Sequence, residues 1–83
     1  MKKYKLVITN RFEKDFKRLD FQIRGRVMNA LEKIEQNPYL GEKTAIFETG
    51  IYRFRVGEYR IRYDVIGNEI ILLKVRHRKE SYR

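Results

Sequence analysis

The stretch Tyr52–Tyr63, YRFRVGEYRIRY, sets arginines at every second position among aromatic and branched residues. In an extended strand successive side chains point to opposite faces, so Arg53 and Arg55 share one face while Tyr52, Phe54 and Val56 share the other. After Gly57-Glu58, a two-residue hairpin signal, the pattern repeats. Arg60, Arg62 and Asp64 fall on one side, and Tyr59, Ile61, Tyr63 and Val65 on the other. The reading is a pair of antiparallel strands with an apolar side for a core and a guanidinium-rich side for an anion. Charge on the solvent face of an amphipathic sheet is ordinary in itself. Two details separate this stretch from that arrangement. A face that serves only solubility mixes signs, because like charges opposite one another across strands are destabilising, yet here the arginines have only Glu58 and Asp64 near them in sequence. Arginine also displaces lysine: there are seven Arg and two Lys from Thr44 onward, against four Arg and seven Lys in Met1–Lys43. A planar fork that stays charged and pairs bidentately with phosphate is the chemistry that separates the two residues.

Working outward, Tyr4–Ile8 reads as a short opening strand bounded by Thr9-Asn10. Asn10 followed by Glu13 gives an N-cap of the capping-box type, and Phe12, Phe16 and Leu19 form the apolar stripe of a short helix. Asp20 ends it and caps the next. Ile23, Val27, Leu31 and Ile34, with Met28 beside them, mark a longer amphipathic helix that stops at Asn37-Pro38. Two helices with one stripe each imply an antiparallel helical hairpin. Tyr39–Gly50 is read as a connection with a short strand near Ala45–Phe47. Beyond the quoted stretch, Gly67-Asn68 supplies a second tight turn before a strand at Ile70–Val75. The expected fold is α+β, a single domain over residues 1–83: an N-terminal strand, a helical hairpin, then an antiparallel β-meander with the helices packed on one face.

Eighty-three residues with a net charge of +9 predict attraction to nucleic acid, an anionic membrane or an acidic protein. Cysteine is absent, which removes disulfides, thiolate metal sites and cysteine nucleophiles and fits a reducing cytoplasm. The apolar run Leu6–Ile8 is far too short for a signal peptide or a membrane span, so a soluble, cytoplasmic protein without a membrane partner is expected. No glycine-rich phosphate loop or nucleophile elbow occurs, and Glu13, Asp15, Glu32 and Glu35 read as carboxylates on solvated helix faces. Lys74–Arg83 carries five basic residues and the single histidine. With no second histidine or cysteine to join His77, neither a transition-metal site nor another cofactor is expected. His77, Arg78 and Tyr82 leave the end of the last strand, from where they are expected to fold over the arginine face.

The order of these elements, with FEKDFKRL at Phe12–Leu19, Asn37-Pro38, the quoted strand pair and His77-Arg78 followed by Tyr82, resembles the RelE/ParE superfamily of toxins from toxin–antitoxin pairs. The resemblance covers essentially the whole chain. It implies a microbial-ribonuclease-like fold that, in the RelE branch, enters the ribosomal A site and cuts mRNA without a metal, the substrate's own 2′-hydroxyl attacking the adjacent phosphodiester. Family site positions fall on Arg53, Arg55, Arg60, Arg78 and Tyr82; Arg76 departs from the glycine that many members carry before the histidine. Arginines hold their protons too firmly for acid–base work, so Arg53, Arg55 and Arg60 are expected to stabilise transition-state charge. His77 has the side-chain type suited to proton transfer near neutrality, Arg78 would stabilise the leaving group, and Tyr82 would stack on a splayed base. Arg62, Arg76, Lys79 and Arg83 are expected to contact RNA. The general base stays open. The implied partners are an acidic RelB-like antitoxin, the ribosome and mRNA. A ParE-like inhibitor of DNA gyrase and a non-catalytic RNA-binding module are the competing expectations.

Overall fold

The computed structural model describes residues 3–43 and 51–80. In chain order these form β1 (Lys5–Ile8), α1 (Asn10–Lys17), α2 (Phe21–Gln36), a 3₁₀ turn (Pro38–Leu40), β2 (Glu42–Lys43), β3 (Tyr52–Val56), β4 (Tyr59–Ile66) and β5 (Glu69–His77). The strands make one sheet in the order β1-β5-β4-β3-β2. β3, β4 and β5 form the expected meander, and both turns open on a glycine at positive φ, Gly57 at 59° and Gly67 at 61°, a conformation that glycine enters without steric cost. β1 pairs in parallel with β5, Leu6 opposite Ile70 and Ile8 opposite Leu72; the α1–α2 connection makes that parallel return possible.

Local chemistry sets the helix limits. Thr9, one residue earlier than expected, is the N-cap of α1: its hydroxyl accepts from the Phe12 N–H at 3.2 Å and donates to the Leu72 carbonyl at 2.7 Å. One side chain therefore starts the helix and pins it to β5, which leaves Asn10 inside the first turn. Asp20 caps α2 as its sequence suggests, accepting from Ile23 N–H at 3.0 Å, and α2 ends where Asn37 turns into Pro38. The connection after it is more ordered than its composition implies, containing the 3₁₀ turn and β2. The strand expected at Ala45–Phe47 lies outside the described residues.

The core lies between the helices and one face of the sheet. Phe12, Leu19, Val27, Leu31 and Ile34 meet Val56, Ile61, Tyr63, Ile70, Leu72 and Val75. Tyr63 is the largest fully buried side chain. Its hydroxyl donates to the Pro38 carbonyl at 2.7 Å and accepts from the Gly41 N–H at 3.2 Å, so it ties the 3₁₀ turn to the sheet. A Cβ at position 41 would collide with that hydroxyl, which is why glycine stands there. Burial pushes the Tyr63 phenol up to about 12.

Two irregularities in β5 shape everything beyond the core. Arg62 faces Lys74 while Tyr63 faces Leu72, leaving Leu73 as the extra residue of a β-bulge. β1 pairs with β5 only as far as Leu72, so the edge of β5 beyond it needs another partner. Asp15 of α1 provides it, its Oδ2 accepting the Val75 N–H at 3.2 Å. Asp15 is thus buried and not the solvated carboxylate its charged neighbours suggest.

Candidate nucleic-acid interface

The pairing register turns the alternating arginines into a lattice. Across β3, β4 and β5, Arg55 lies opposite Arg60 and Arg60 opposite Arg76; one step away, Arg53 lies opposite Arg62 and Arg62 opposite Lys74. Directly opposed residues on a sheet have Cβ atoms about 5 Å apart. Six cations therefore stand in two rows on the face turned away from the helices. Arg60 and Arg62, on the central strand, are each 7% exposed, whereas Arg55 at the rim is exposed. The face is a cradle with charge at its floor.

Carboxylates border this cradle. Glu42 of β2 ends the row of Arg53 and pairs with it at 2.5 Å. The hydrogen bond from Arg53, and then its charge, hold the Glu42 carboxyl below the usual range. Asp15 lies 3.8 Å from the Arg76 Nε at the opposite border. Asp64 accepts from the Ile51 N–H at 2.6 Å. Burial, followed by Arg53 and Arg60, lowers Arg62 from the ordinary arginine range. Burial, then Arg76, Arg11 and Arg62, lower Lys74, against a smaller opposing pull from Asp15. Like charges brought this close to one another in a partly dry setting make an anion the natural complement.

Of the residues singled out from sequence, Arg53, Arg55, Arg60, Arg62 and Arg76 come together on this face. His77 does not. It pairs with Tyr59 in the register, its ring packs edge-on against that tyrosine at 5.2 Å and 85°, and its Nδ1 accepts from the Lys79 N–H at 3.2 Å. Strand alternation turns it toward Tyr59, and it lines a cleft with Asp15, Leu19, Tyr59, Arg76 and Glu80. Arg78 sits at the turn end of the sheet: its N–H donates to the Glu58 carbonyl at 2.7 Å and its Nε lies 3.2 Å from the Glu58 carboxylate. That places it at the end nearest the Arg55–Arg60–Arg76 row. Lys79 is exposed. Tyr82 and Arg83 lie outside the described residues.

Two members of the face escaped the sequence reading. Lys74 follows Ile70 and Leu72 at even spacing, so simple alternation sends it into the core; the bulge at Leu73 reverses the phase. A signal was present, since Ile70 and Leu72 on one side and Val75 on the same side cannot all fit one unbroken period of two. Glu42 carried no local signal, because its role arises only when β2 pairs with β3.

The sequence from residue 6 to 82 matches the family of ParE toxins of the type II toxin–antitoxin system parDE. It is also 32% identical over 83 residues to Toxin RelE3 of Methanocaldococcus jannaschii, covering 94% of each chain. The chain belongs to the RelE/ParE toxin superfamily. The fold agrees. The RelB–RelE antitoxin–toxin complex from Methanococcus jannaschii superposes with a TM-score of 0.74 at 32% identity, over 92% of this chain and 94% of that one. The RelBE2 toxin–antitoxin complex from Mycobacterium tuberculosis gives 0.78 at 23% identity, over 89% and 96%, a likeness of fold. Within the superfamily's frame, the six-cation face has the chemistry to engage a polyanion, and no group of three potential metal-ligating side chains occurs among the described residues.

Proposed function

We propose that this superfamily toxin is a ribosome-dependent endoribonuclease that cuts mRNA in the A site, and that an acidic antitoxin neutralises it. The observation that carries the reading is the two-row lattice of Arg53, Arg55, Arg60, Arg62, Lys74 and Arg76. Attack of a 2′-hydroxyl on the adjacent phosphodiester builds up negative charge on the phosphoryl oxygens. Preorganised guanidinium groups in a partly dehydrated cradle meet that charge without having to reorganise. Arg53, Arg55 and Arg60 line the phosphate, Arg62 and Arg76 hold the flanking backbone, and Arg78 swings from its exposed pair with Glu58 to the departing 5′-oxygen. Tyr82 stacks on a splayed base. The ribosome supplies orientation of the nucleotide, the entropic part of the barrier.

His77 is left out of the proton transfers of this scheme, because its ring packs edge-on against Tyr59 and its Nδ1 accepts the Lys79 N–H. An antitoxin segment bearing Asp and Glu is complementary to the same cations, and the solved relatives named above are toxin–antitoxin complexes.

A second reading has its own support. The family match is to ParE toxins, which makes a gyrase-directed inhibitor the alternative. Expression without an antitoxin separates the two. The mRNA reading predicts arrest of protein synthesis, with ribosome-bound mRNA cut and free RNA cut poorly. Normal protein synthesis together with gyrase-linked DNA breaks would overturn it in favour of the ParE mode of action.

A further inference from the structure

We infer that Lys74 is the proton acceptor for the attacking 2′-hydroxyl, an assignment that rests on the mRNA-cleaving reading above. The bulge at Leu73 brings Lys74 onto the arginine face directly opposite Arg62, half-buried. The other five cations of that face are guanidinium groups, which do not give up a proton in proteins. His77 packs edge-on against Tyr59, and its Nδ1 is taken by the Lys79 N–H. Tyr63 is enclosed in the core, and burial keeps its phenol protonated to about pH 12. The carboxylates bordering the face are engaged: Glu42 by Arg53, Asp64 by the Ile51 N–H, Asp15 by the Val75 N–H. Among the described residues of the cradle, Lys74 is therefore the side chain left to exchange a proton.

Its surroundings disfavour the ammonium form relative to an ordinary lysine. Arg62 faces it from β4, Arg76 follows on the same face of β5, and Arg11 and Asp15 approach from α1. Burial is the largest influence and, with the three arginines, lowers Lys74 from the ordinary lysine range, while Asp15 opposes them less strongly. An amine lowered by desolvation and like charge is the usual form of a lysine base.

In the step itself the neutral Nζ takes the proton of the 2′-hydroxyl as the 2′-oxygen forms its bond to phosphorus. The bond from phosphorus to the 5′-oxygen breaks, and the leaving oxygen takes a proton from water. The products are a 2′,3′-cyclic phosphate and a 5′-hydroxyl. The ammonium then returns its proton to the hydroxide left behind, and the charge of the phosphodiester is conserved.

The test is single-turnover cleavage of mRNA on programmed ribosomes across pH, with wild type, Lys74→Met and Lys74→Arg. Lys74→Arg keeps the positive charge but removes the titration, so it is informative even where Lys74→Met fails to fold. We expect both variants to lose about 100-fold or more in rate, with ribosome binding of Lys74→Arg within threefold of wild type. The wild-type rate should rise about tenfold per pH unit before levelling off, and both variants should lose that slope. Cleavage by Lys74→Arg within threefold of wild type, or an unchanged pH profile, would overturn the assignment while leaving the nuclease reading intact. Absence of cleavage by wild type itself would remove both.

Discussion

The two faces of β4 are built from the same eight residues, yet they do opposite work. Ile61 and Tyr63 point toward the helices and are fully buried among apolar neighbours. Arg60 and Arg62 alternate with them and point into a field of their own sign. On the first face every neighbour lowers the free energy of folding. On the second, like charges oppose one another across the strands and work against it. A sheet that keeps such an arrangement at its centre, and not at a frayed margin, fits the proposal that one face supplies its stability and the other its binding chemistry. Local violation of folding rules concentrated at one site is the usual mark of function.

Substitutions on the two faces should therefore fail in different assays. Leu72, fully buried on the helix face, is the most sensitive: Leu72→Ala should lower unfolding free energy by about 2–5 kcal/mol in denaturant titrations without altering the cleavage rate per folded molecule. Arg53→Ala should do the reverse, reducing single-turnover cleavage by about 100-fold, equivalent to roughly 2.7 kcal/mol of barrier. Its melting temperature should change little, since relief of the cross-strand repulsion with Arg62 offsets the lost pair with Glu42.

Tyr63→Phe probes the join between the helix face and the 3₁₀ turn. It leaves the buried Pro38 carbonyl and Gly41 N–H without their partner, at about 1–3 kcal/mol. It should also change the alkaline limb of stability. The folded-state value of this phenol is raised from 10.0 to about 12, so the fold holds the proton more tightly than the unfolded chain does. That contribution is complete below pH 10 and is lost as pH rises toward 12. Urea titrations between those limits should show a downward slope that is shallower in Tyr63→Phe. The smallest effect belongs to Glu58→Gln, which breaks an exposed pair with Arg78 and should change stability by about 0–1 kcal/mol. A larger loss would mean that the turn end of the sheet belongs to the structural face after all.

Much of this division was legible in the sequence because a strand's period of two is unambiguous wherever apolar and charged residues alternate without a slip, as they do from Tyr52 to Tyr63. The turns at Gly57 and Gly67, the cap at Asp20 and the stop at Pro38 were legible for a similar reason, each resting on the backbone chemistry of a single residue. What depended on pairing was not legible. Lys74 needed the bulge at Leu73, Asp15 needed the early end of β1, and Glu42 needed β2 to form beside β3. His77 illustrates the same limit from the other direction. Its residue type suggested proton transfer, whereas its parity in β5, which only the pairing sets, aligns its ring with Tyr59.

Arg60 and Ile61 are adjacent in sequence and point to opposite faces, so they test the account most directly. Single-turnover cleavage of A-site mRNA on programmed ribosomes should fall by about 100-fold or more in Arg60→Ala. In Ile61→Val it should stay within twofold, while unfolding free energy drops by about 0.5–1.5 kcal/mol. Equal cleavage by the two variants, or a loss of folding in Arg60→Ala with its cleavage rate per folded molecule preserved, would contradict the assignment of chemistry to the arginine face.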